Sequence, residues 1–559
     1  VVEVQALTQV FGTRNGGLPR VALGTVKSMI SHTIPAAGVA GIIKTAMALH
    51  QKVLPPTLHV REPNPKLELE KTPFYLNTEP RPWIHGALEP RRAGVNAFGF
   101  GGINAHAVLE EFRPTENRES EIRHLPRWDS EIFLLGGATK EAIREQAVRL
   151  AEQVRRLSDQ PEGPVALVDL AYTVNCDFDA DSSALRLAVV ASSYEDLLAK
   201  LDRAATRLAD PGCRRIKDVS GIFFFAEPLG RAGKVALLFP GEGAQYQNML
   251  ADLCLHFPEV REVFDRYDRI FHDHPRGDVP SDYIFPRPAF DDETRRYSLD
   301  RLMQMDLAIE AVQAANQAMF ALLQRLGLRG DACVGHSSGE YSAATAAGVF
   351  DVDSDERFIA LGRALYDYYA SAKSHDGVPR ATLLAIAAPR EQVEAIAKEA
   401  GGDIYLAVEN CPHQAVLIGE PAAAERARAL VERQGLIYEQ LAYDRAVHTP
   451  LFEPFTADLR RLYEQVPVRP ATMPLYSCAT TKRYPDDPAD IREIFLRHWS
   501  QPVEFQRTIE ALYDEGCRVF IEVGPRGNLS AFVEDILRGK PSCVIPANVM
   551  RRSGITQLN

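Results

Sequence analysis

Apolar and polar positions alternate along this chain with two different spacings, which predict strands and helices in turn. Short uninterrupted apolar runs, such as KVALLFP at 234–240, are typical of buried strands. Apolar residues at intervals of three and four, as in 143–157, instead form one face of a helix. Segments of both kinds follow one another over most of the chain, so the pattern predicts an α/β protein.

The first 112 residues are rich in glycine and predict short elements. The segment 21–32 has the pattern of a strand that runs into a turn, and 36–49 has the small residues of a closely packed helix. Two strands around a glycine turn are predicted for 91–112, because glycine adopts backbone conformations that other residues disfavour.

A second unit begins near Trp128 and combines strands with amphipathic helices. One of its strands is predicted at 186–193. Ser192 and Glu195 then match the capping-box pattern before a helix at 196–209. The unit contains no cluster of potential catalytic groups, so we interpret it as a packing module.

The third unit opens with the strand at 234–240 and continues with a helix at 306–327. Between them, a polar and proline-rich segment at 272–296 predicts a surface loop. A short strand at 332–334 and a helix at 338–347 follow.

Residues 380–446 alternate cleanly between strand and helix patterns in the order βαββαβ. This order is typical of a ferredoxin-like domain. The strand and helix signals of the third unit resume afterwards, at MPLYSC (473–478) and CRVFIEVGP (517–525). We therefore predict that the ferredoxin-like domain is inserted into the third unit.

Composition and charge exclude several classes of function. The 559 residues allow two to four domains, and 46% hydrophobic with 25% charged residues is ordinary for a globular protein. The net charge of −12 comes without a basic run, which argues against nucleic-acid binding, and no apolar run is long enough for a membrane span. The eight cysteines form no CxxC pair, so they predict no metal site and a reduced, cytoplasmic setting.

The strongest local signal for chemistry is GHSSG at 335–339. An apolar strand precedes it and a helix follows it, which is the context of a nucleophile elbow that exposes Ser337 at a helix N-terminus. The helix end offers amide N–H groups and a positive partial charge to a developing anion. The alternative interpretation is a serine-glycine turn that caps an ordinary helix.

Two other segments provide what a serine nucleophile needs. His448 in RAVHTP, directly after the ferredoxin-like insert and before a proline, is the candidate base. The alternative interpretation is a structural or surface histidine. The oxyanion formed by attack on a thioester needs two donors. One is the N–H of Ser338, and the loop FPGEGAQ (239–245), at the end of a strand, can provide the second from Glu242.

These three motifs, in this order, resemble the malonyl-CoA:carrier-protein transacylase family over about residues 235–535. FPGEGAQ is similar to the family's FPGQGSQ, and GHSSGEY is similar to its GHSxGE. The resemblance implies that Ser337 is the nucleophile and His448 the general base. It also implies that the backbone carbonyl of His498, in HWSQPVEF, orients His448, and that Asn410 lies near the substrate.

Three departures from the family pattern affect these expectations. Glu242 replaces a glutamine, but its donor is the main-chain N–H and should survive. We assign Arg363 as the arginine that binds the malonyl carboxylate, although it lies one residue later than an ungapped match, and one residue is about 100° around a helix. The motif RAVH, which ends at His448, matches neither the malonyl nor the methylmalonyl pattern.

The front of the chain resembles the last part of a ketosynthase. VKSMISH and NAFGFGGINAH are similar to that family's VKSNIGH and SSFGFGGTNAH, which implies that Lys27 and His32 match a catalytic lysine and histidine. The condensing cysteine would lie before Val1, so no condensation is expected from this chain. The chain begins in mid-pattern without methionine, which suggests a piece of a longer polypeptide, and a monomer is favoured because half of the usual dimer-forming domain is missing.

The resemblance implies a piece of a type I polyketide synthase, with a lean toward the iterative enediyne or polyunsaturated-fatty-acid branch. Its large acyltransferase subdomain would be α/β-hydrolase-like, its small subdomain ferredoxin-like, and its ketosynthase part thiolase-like. The predicted domains are the partial ketosynthase at 1–112, an α/β linker domain at 113–234, the large subdomain at 235–378 and 447–535, the small subdomain at 379–446, and the start of a further linker at 536–559.

The expected activity is transfer of a malonyl unit from malonyl-CoA, through an acyl-serine, to the phosphopantetheine thiol of an acyl carrier protein. No tightly bound cofactor, metal, nucleic acid or membrane is expected, and the partners would be the carrier protein and other synthase domains. Two alternatives stay open. A serine hydrolase would need an acidic triad member between the serine and a late histidine, and a non-catalytic scaffold would only position the carrier protein.

Overall fold

The computed structural model describes the chain in eight stretches and two compact units. The stretches are residues 1–14, 16–99, 101–113, 128–158, 165–180, 183–229, 233–374 and 380–549. One unit contains the described residues of 1–118 and 234–550, and the other contains those of 119–233. Among the described helices, none is long and apolar enough to cross a membrane.

The part before residue 112 forms short elements around one long helix. They are α1 (Val2–Phe11), β1 (Val21–Leu23), α2 (Lys27–Ile30), α3 (Ala37–Gln51), β2 (Val53–Leu54), β3 (Phe74–Leu76), β4 (Arg81–Pro82), β5 (Arg92–Phe98) and β6 (Asn104–Glu110). The predicted helix is confirmed as α3, and the two strands around a glycine turn are the antiparallel pair β5 and β6. The strand predicted to run into a turn at 21–32 is β1, followed by the single helical turn α2, with the Lys27 N–H donating to Thr25 Oγ1.

The unit between residues 119 and 233 is a four-stranded antiparallel sheet with helices. Its elements are β7 (Glu131–Gly137), α4 (Lys140–Ser158), α5 (Leu167–Cys176), β8 (Leu185–Ala191), α6 (Tyr194–Leu208), β9 (Arg215–Asp218) and β10 (Ile222–Phe225). The helical face predicted at 143–157 is α4, which buries Ile143, Ala147 and Val154 completely. The predicted cap is wrong by one residue, because Ser193 caps α6 by accepting from the Asp196 N–H at 3.1 Å.

Residues 234–374 form the first part of a large α/β subdomain. Its elements are β11 (Lys234–Phe239), α7 (Ala251–His256), α8 (Pro258–Phe271), α9 (Ser281–Ile284), α10 (Asp292–Leu302), α11 (Met305–Arg325), β12 (Ala332–Gly335), α12 (Gly339–Ala346) and α13 (Asp355–Ser374). The strands predicted at 234–240 and 332–334 and the helix at 306–327 are thereby confirmed.

The surface loop predicted for 272–296 is wrong in part. The short helix α9 lies inside it with Tyr283 and Ile284 buried, and α10 begins before its end. The buried Asp268 carboxylate accepts from the Ser281 N–H at 3.0 Å and from the Ser281 hydroxyl, which fixes the start of α9. Such a buried anchor is a tertiary contact, and a polar, proline-rich composition does not reveal it.

The insert forms β13 (Thr382–Ile386), α14 (Arg390–Ala400), β14 (Ile404–Cys411), β15 (Gln414–Gly419), α15 (Pro421–Arg433) and β16 (Tyr438–Gln440). These strands pair antiparallel in the order β16-β13-β15-β14, so the ferredoxin-like prediction is confirmed.

The large subdomain resumes after the insert. Its later elements are α16 (Thr456–Gln465), β17 (Leu475–Ser477), β18 (Lys482–Arg483), α17 (Pro488–Ser500), β19 (Val503–Glu504), α18 (Phe505–Asp514), β20 (Cys517–Glu522), α19 (Asn528–Ile536) and β21 (Cys543–Pro546). β19 pairs in parallel with β14 and becomes a fifth strand of the small sheet. The boundary predicted at 378/379 and the residues after 549 lie outside the described stretches.

The large sheet brings the two predicted loops together. Its order is β18-β17-β12-β11-β20-β21, and only β18 runs antiparallel. β11 and β12 are parallel neighbours, with Phe239 beside Gly335 at their carboxyl ends. The loops that follow these two strands therefore leave the same edge of the sheet, where open α/β sheets place their ligand sites.

Candidate active site

Ser337 occupies a sharp turn between β12 and α12. Its backbone has φ +50°, a left-handed conformation that is uncommon outside glycine. A Cβ on Gly335 would lie 2.1 Å from the Gly339 backbone, so only glycine allows the turn to close this tightly. The turn therefore exposes the Ser337 hydroxyl at the start of α12, as the nucleophile-elbow pattern predicts.

Gly339→Ala should disrupt both the fold and the site. A Cβ at Gly339 would lie 2.1 Å from the carbonyl oxygen of Phe239, which is backbone and is the last residue of the neighbouring strand β11. We expect a loss of about 3 kcal/mol in the free energy of unfolding, since the strand and helix would have to separate. Urea denaturation would measure this loss. Gly99→Ala is the matched control, because its Cβ would meet nothing closer than 3.4 Å, and equal losses in both variants would contradict the argument.

The Ser337 hydroxyl is hydrogen-bonded to a histidine from the other side of the insert. Ser337 Oγ lies 2.7 Å from His448 Nε2, and His448 Nδ1 lies 2.8 Å from the His498 carbonyl oxygen. Because a carbonyl only accepts, Nδ1 must carry the proton and Nε2 is left as an acceptor for the serine hydroxyl. The arrangement can remove a proton from Ser337.

The environment of His448 keeps its ring neutral. The side chain is buried, and burial lowers the pKa of His448 to about 3, with the nearby His498 contributing in the same direction. The His448 N–H also donates to the Trp499 carbonyl at 2.7 Å, so two backbone groups of α17 hold the residue. A neutral imidazole in this position is ready to accept a proton at physiological pH.

A buried polar cluster fixes the part of α17 that holds His448. His498 Nδ1 lies 3.2 Å from Oε2 of Glu340, which is completely buried and accepts a hydrogen bond at Oε1 from the Tyr484 hydroxyl. Trp499 Nε1 donates to the Tyr341 hydroxyl at 2.8 Å. Both Glu340 and Tyr341 lie in α12, so the helix after the nucleophile is tied to the helix that orients the base.

Asn410, predicted near the substrate, contacts the residue before the nucleophile. Its Oδ1 lies 2.7 Å from His336 Nε2, and its Nδ2 donates to Gln414 Oε1 at 2.8 Å. Desolvation of the ring lowers the pKa of His336 to about 4, so this imidazole is also neutral. The sequence did not predict a role for His336, and no local signal joins positions that are 74 residues apart.

The two predicted oxyanion donors lie next to each other. The Glu242 N–H donates to Ser338 Oγ at 3.2 Å, and the Ser338 hydroxyl donates back to the Glu242 carboxylate. The loop is close to the elbow, since a Cβ on Gly241 would lie 2.5 Å from the His336 carbonyl oxygen. These contacts between Glu242 and Ser338 were not predicted. One of them uses the Glu242 N–H, which is the predicted oxyanion donor.

Arg363 lies on α13 and donates from Nε to the Ile270 carbonyl at 2.6 Å. Five positions later on the same helix, Tyr368 lines a cavity of about 500 Å³. Five residues correspond to about 140° around a helix, so the two side chains leave it on different faces.

The cavity lies between the large subdomain and the end of the insert. It is lined by Asp300, Met303, Gln304, Met305, Asp306, Tyr368, Ala442, Tyr443, Asp444, Arg445, Val447, Phe452 and Trp499. Val447 directly precedes His448, and the Trp499 carbonyl accepts from the His448 backbone N–H. The cavity therefore adjoins the residues that hold the base, and its volume suits a small ligand.

Lys27 and His32 are both exposed. His32 Nδ1 accepts from the Ile34 N–H at 3.0 Å, and the described residues include no contact of either side chain with Ser337 or His448. The structure therefore does not bring the predicted ketosynthase pair into the site around Ser337.

Comparison with known proteins identifies the class to which this site belongs. The family model for the acyl transferase domain matches residues 236–554, which is more than half of the chain. Models for the beta-ketoacyl synthase C-terminal domain and for the ketoacyl-synthetase C-terminal extension match residues 1–61 and 63–173. The chain belongs to the acyl transferase domain family, and the predicted combination with ketosynthase sequence is confirmed.

Similar proteins are synthases of fatty acids and polyketides. A polyunsaturated fatty acid synthase protein of Thraustochytrium sp. is 27% identical over 97% of this chain and 19% of its own length. Spectinabilin polyketide synthase system protein NorA of Streptomyces orinoci is 31% identical over 96% of this chain and 26% of its own length. The chain thus spans about a quarter or less of these two relatives.

A solved structure confirms the fold class. The acyltransferase domain from the second module of the salinomycin polyketide synthase is 25% identical to this chain, with a TM-score of 0.54. The match covers 76% of this chain and 90% of that domain's chain. The predicted acyltransferase architecture, with its large subdomain and ferredoxin-like insert, is therefore the observed one.

Proposed function

We propose that this chain transfers a malonyl unit from malonyl-CoA, through Ser337, to the phosphopantetheine thiol of an acyl carrier protein in polyketide or polyunsaturated-fatty-acid synthesis. The observation that carries this proposal is the 2.7 Å hydrogen bond between Ser337 and a neutral, buried His448. Membership of the acyl transferase family and relatives that are polyketide and polyunsaturated-fatty-acid synthases support the substrate class.

In the first half-reaction His448 acts as the general base. Its Nε2 takes the Ser337 proton while Oγ attacks the thioester carbonyl carbon, and the negative charge moves to the carbonyl oxygen. When this tetrahedral intermediate collapses, the C–S bond breaks and the proton on Nε2 goes to the departing CoA thiolate. The products are acyl-Ser337, free CoA and a neutral His448.

Two backbone N–H groups are proposed to stabilise the oxyanion, those of Ser338 and Glu242. The Ser338 N–H lies at the start of α12, where the helix dipole adds positive partial charge. The Glu242 N–H donates to the Ser338 hydroxyl at 3.2 Å, so it must exchange that partner for the substrate oxygen.

The second half-reaction repeats these roles with a different thiol. His448 takes the proton of the phosphopantetheine thiol, the thiolate attacks acyl-Ser337, and the proton returns to Ser337 Oγ as the ester bond breaks. The carbonyl of His498 keeps His448 in the required tautomer in both halves. No bound cofactor enters either step, and a cytoplasmic setting is proposed.

Further residues are proposed to bind or position the substrate. The sequence assigns the malonyl carboxylate to Arg363, and Arg445, which lines the cavity beside His448, is a second candidate. Asn410 is proposed to lie near the substrate and to position the turn before Ser337 through His336. Residues 1–112 are proposed to be a ketosynthase-derived scaffold in which Lys27 and His32 perform no condensation. The domain boundaries predicted from the sequence are proposed as well.

Brief exposure of the chain to malonyl-CoA, followed by intact mass measurement, tests the proposal. We expect one malonyl adduct on the peptide that contains Ser337, and its discharge when phosphopantetheinylated carrier protein is added. Release of CoA without an adduct or a need for carrier protein would indicate a hydrolase. Absence of both the adduct and CoA release, in a folded chain, would leave only a scaffold.

A further inference from the structure

The cavity beside His448 contains a charge that the family pattern does not place there. We propose that Arg445, the first residue of RAVH, binds the free carboxylate of the acyl group, in place of Arg363. This inference rests on the proposed malonyl transfer, and it assigns the recognition of the substrate's charge to a different element of the fold.

Arg445 is the only basic side chain among the described residues that line the cavity. Its side chain is 12% exposed, so its charge is largely shielded from water. Its Nη1 donates to the Asp444 carbonyl at 3.1 Å and forms an ion pair with the Asp444 carboxylate at 2.8 Å. Among the described residues Nε and Nη2 have no partner, which leaves one edge of the guanidinium for a bidentate carboxylate.

The acidic groups of the cavity do not remove this opportunity. Asp306 forms two hydrogen bonds of 3.1 Å with Arg301, so its charge is already balanced. Asp300 is exposed to solvent, and Asp444 is 60% exposed and can stay hydrated beside its neighbour. The carboxylate of a malonyl group at the free edge of Arg445 would therefore be attracted by the guanidinium and would not be repelled by a cluster of unpaired acidic groups.

The position of Arg445 also suits the length of a malonyl group. It precedes His448 by three residues, which limits the distance between their Cα atoms to about 10 Å. Val447 lies between them and lines the same cavity. A thioester carbonyl held at Ser337 can thus direct a short, carboxylated chain toward the guanidinium.

Arg363 is turned away from this cavity. Its Nε is bonded to the Ile270 carbonyl, and it leaves α13 about 140° from Tyr368, the residue of that helix that lines the cavity. An ungapped match would use Gly362, six residues before Tyr368, and glycine has no side chain to contribute. α13 thus brings no positive charge to the cavity, and Arg445, in the segment before His448, provides one.

Single-turnover acylation by malonyl-CoA and by acetyl-CoA, followed by intact mass, tests this assignment on the full chain. For Arg445→Gln we expect the malonyl rate to fall by roughly 10²-fold and the acetyl rate to change little, because only malonyl loses a charged partner. Arg445→Lys should recover part of the malonyl rate, since it keeps the charge without the fork. Arg363→Gln should keep the parent's malonyl-to-acetyl ratio.

Asp444→Asn provides a second measurement that does not depend on removing Arg445. It takes away the carboxylate that competes for the guanidinium, so the malonyl-to-acetyl ratio should rise. Thermal unfolding of each variant shows whether the fold is retained.

The outcomes separate this inference from the proposed function. A parent chain that is folded but takes no malonyl adduct would reject both. A parent that is acylated, with an unchanged ratio in Arg445→Gln or a lost ratio in Arg363→Gln, would reject the Arg445 assignment alone. A lower ratio in Asp444→Asn would also reject it.

Discussion

Ser337→Ala should form no acyl-enzyme and should acylate carrier protein at least roughly 10⁴-fold more slowly than the parent. The hydroxyl is the only group that the substitution removes, and its oxygen lies 2.7 Å from His448 Nε2. Without it the base has no nucleophile to deprotonate, and the two-step route is closed. Intact mass after exposure to malonyl-CoA and the rate of carrier acylation measure the two effects.

Ser337→Gly is the control for this prediction. Because Ser337 has φ +50°, glycine fits the turn without strain, and the variant should be at least as stable as the parent. If Ser337→Ala and Ser337→Gly are both inactive, although glycine fits the turn without strain, the loss of activity comes from the missing hydroxyl and not from a change in the fold. An acyl adduct on either variant would place the nucleophile elsewhere.

His448→Ala should lower the rate of Ser337 acylation by roughly 10³- to 10⁴-fold, since it removes the general base. Imidazole added to the solution should restore part of this rate if the cavity left by the side chain is accessible. The measurement is single-turnover acylation by malonyl-CoA. A loss of less than tenfold would mean that another group removes the serine proton.

The same residue predicts the pH dependence of the parent enzyme. Burial lowers the pKa of His448 to about 3, so the neutral form that accepts a proton persists as the pH falls. The acylation rate should therefore stay level from pH 8 to pH 5, where an ordinary histidine, with a pKa of about 6.5, would lose activity. A half-maximal rate near pH 6.5, in a chain that is still folded there, would contradict this description of the base.

Sequence alone predicted the contacts that lie within contiguous motifs. GHSSG marks Ser337 through its own turn and neighbouring elements, and the resemblance to the transacylase family pairs it with His448 in RAVHTP. The ferredoxin-like order was also predictable, because its strands and helices follow one another without interruption. These features depend on local periodicity and turn chemistry.

The missed features depend on contacts between distant positions. The bond from Asn410 to His336 and the pair between Glu242 and Ser338 join residues that are distant in the sequence and meet only in the folded protein. The helix α9 was missed because a buried Asp268 carboxylate holds its first residue. Arg363 shows the remaining difficulty, since a shift of one residue along a helix changes the direction of a side chain by about 100°.

The small strand β19 has a consequence for anyone who exchanges parts between synthases. It belongs by sequence to the large subdomain but adds a fifth strand to the small sheet, and Arg390 on the insert donates to Glu504 of this strand at 2.7 Å and to Glu409 at 2.9 Å. A graft cut at the two ends of the insert would carry β14 and leave β19 behind. The segment to exchange as one unit thus includes Val503 and Glu504. Chimeras that receive these residues together with the insert should keep β19 as the edge strand of the small sheet.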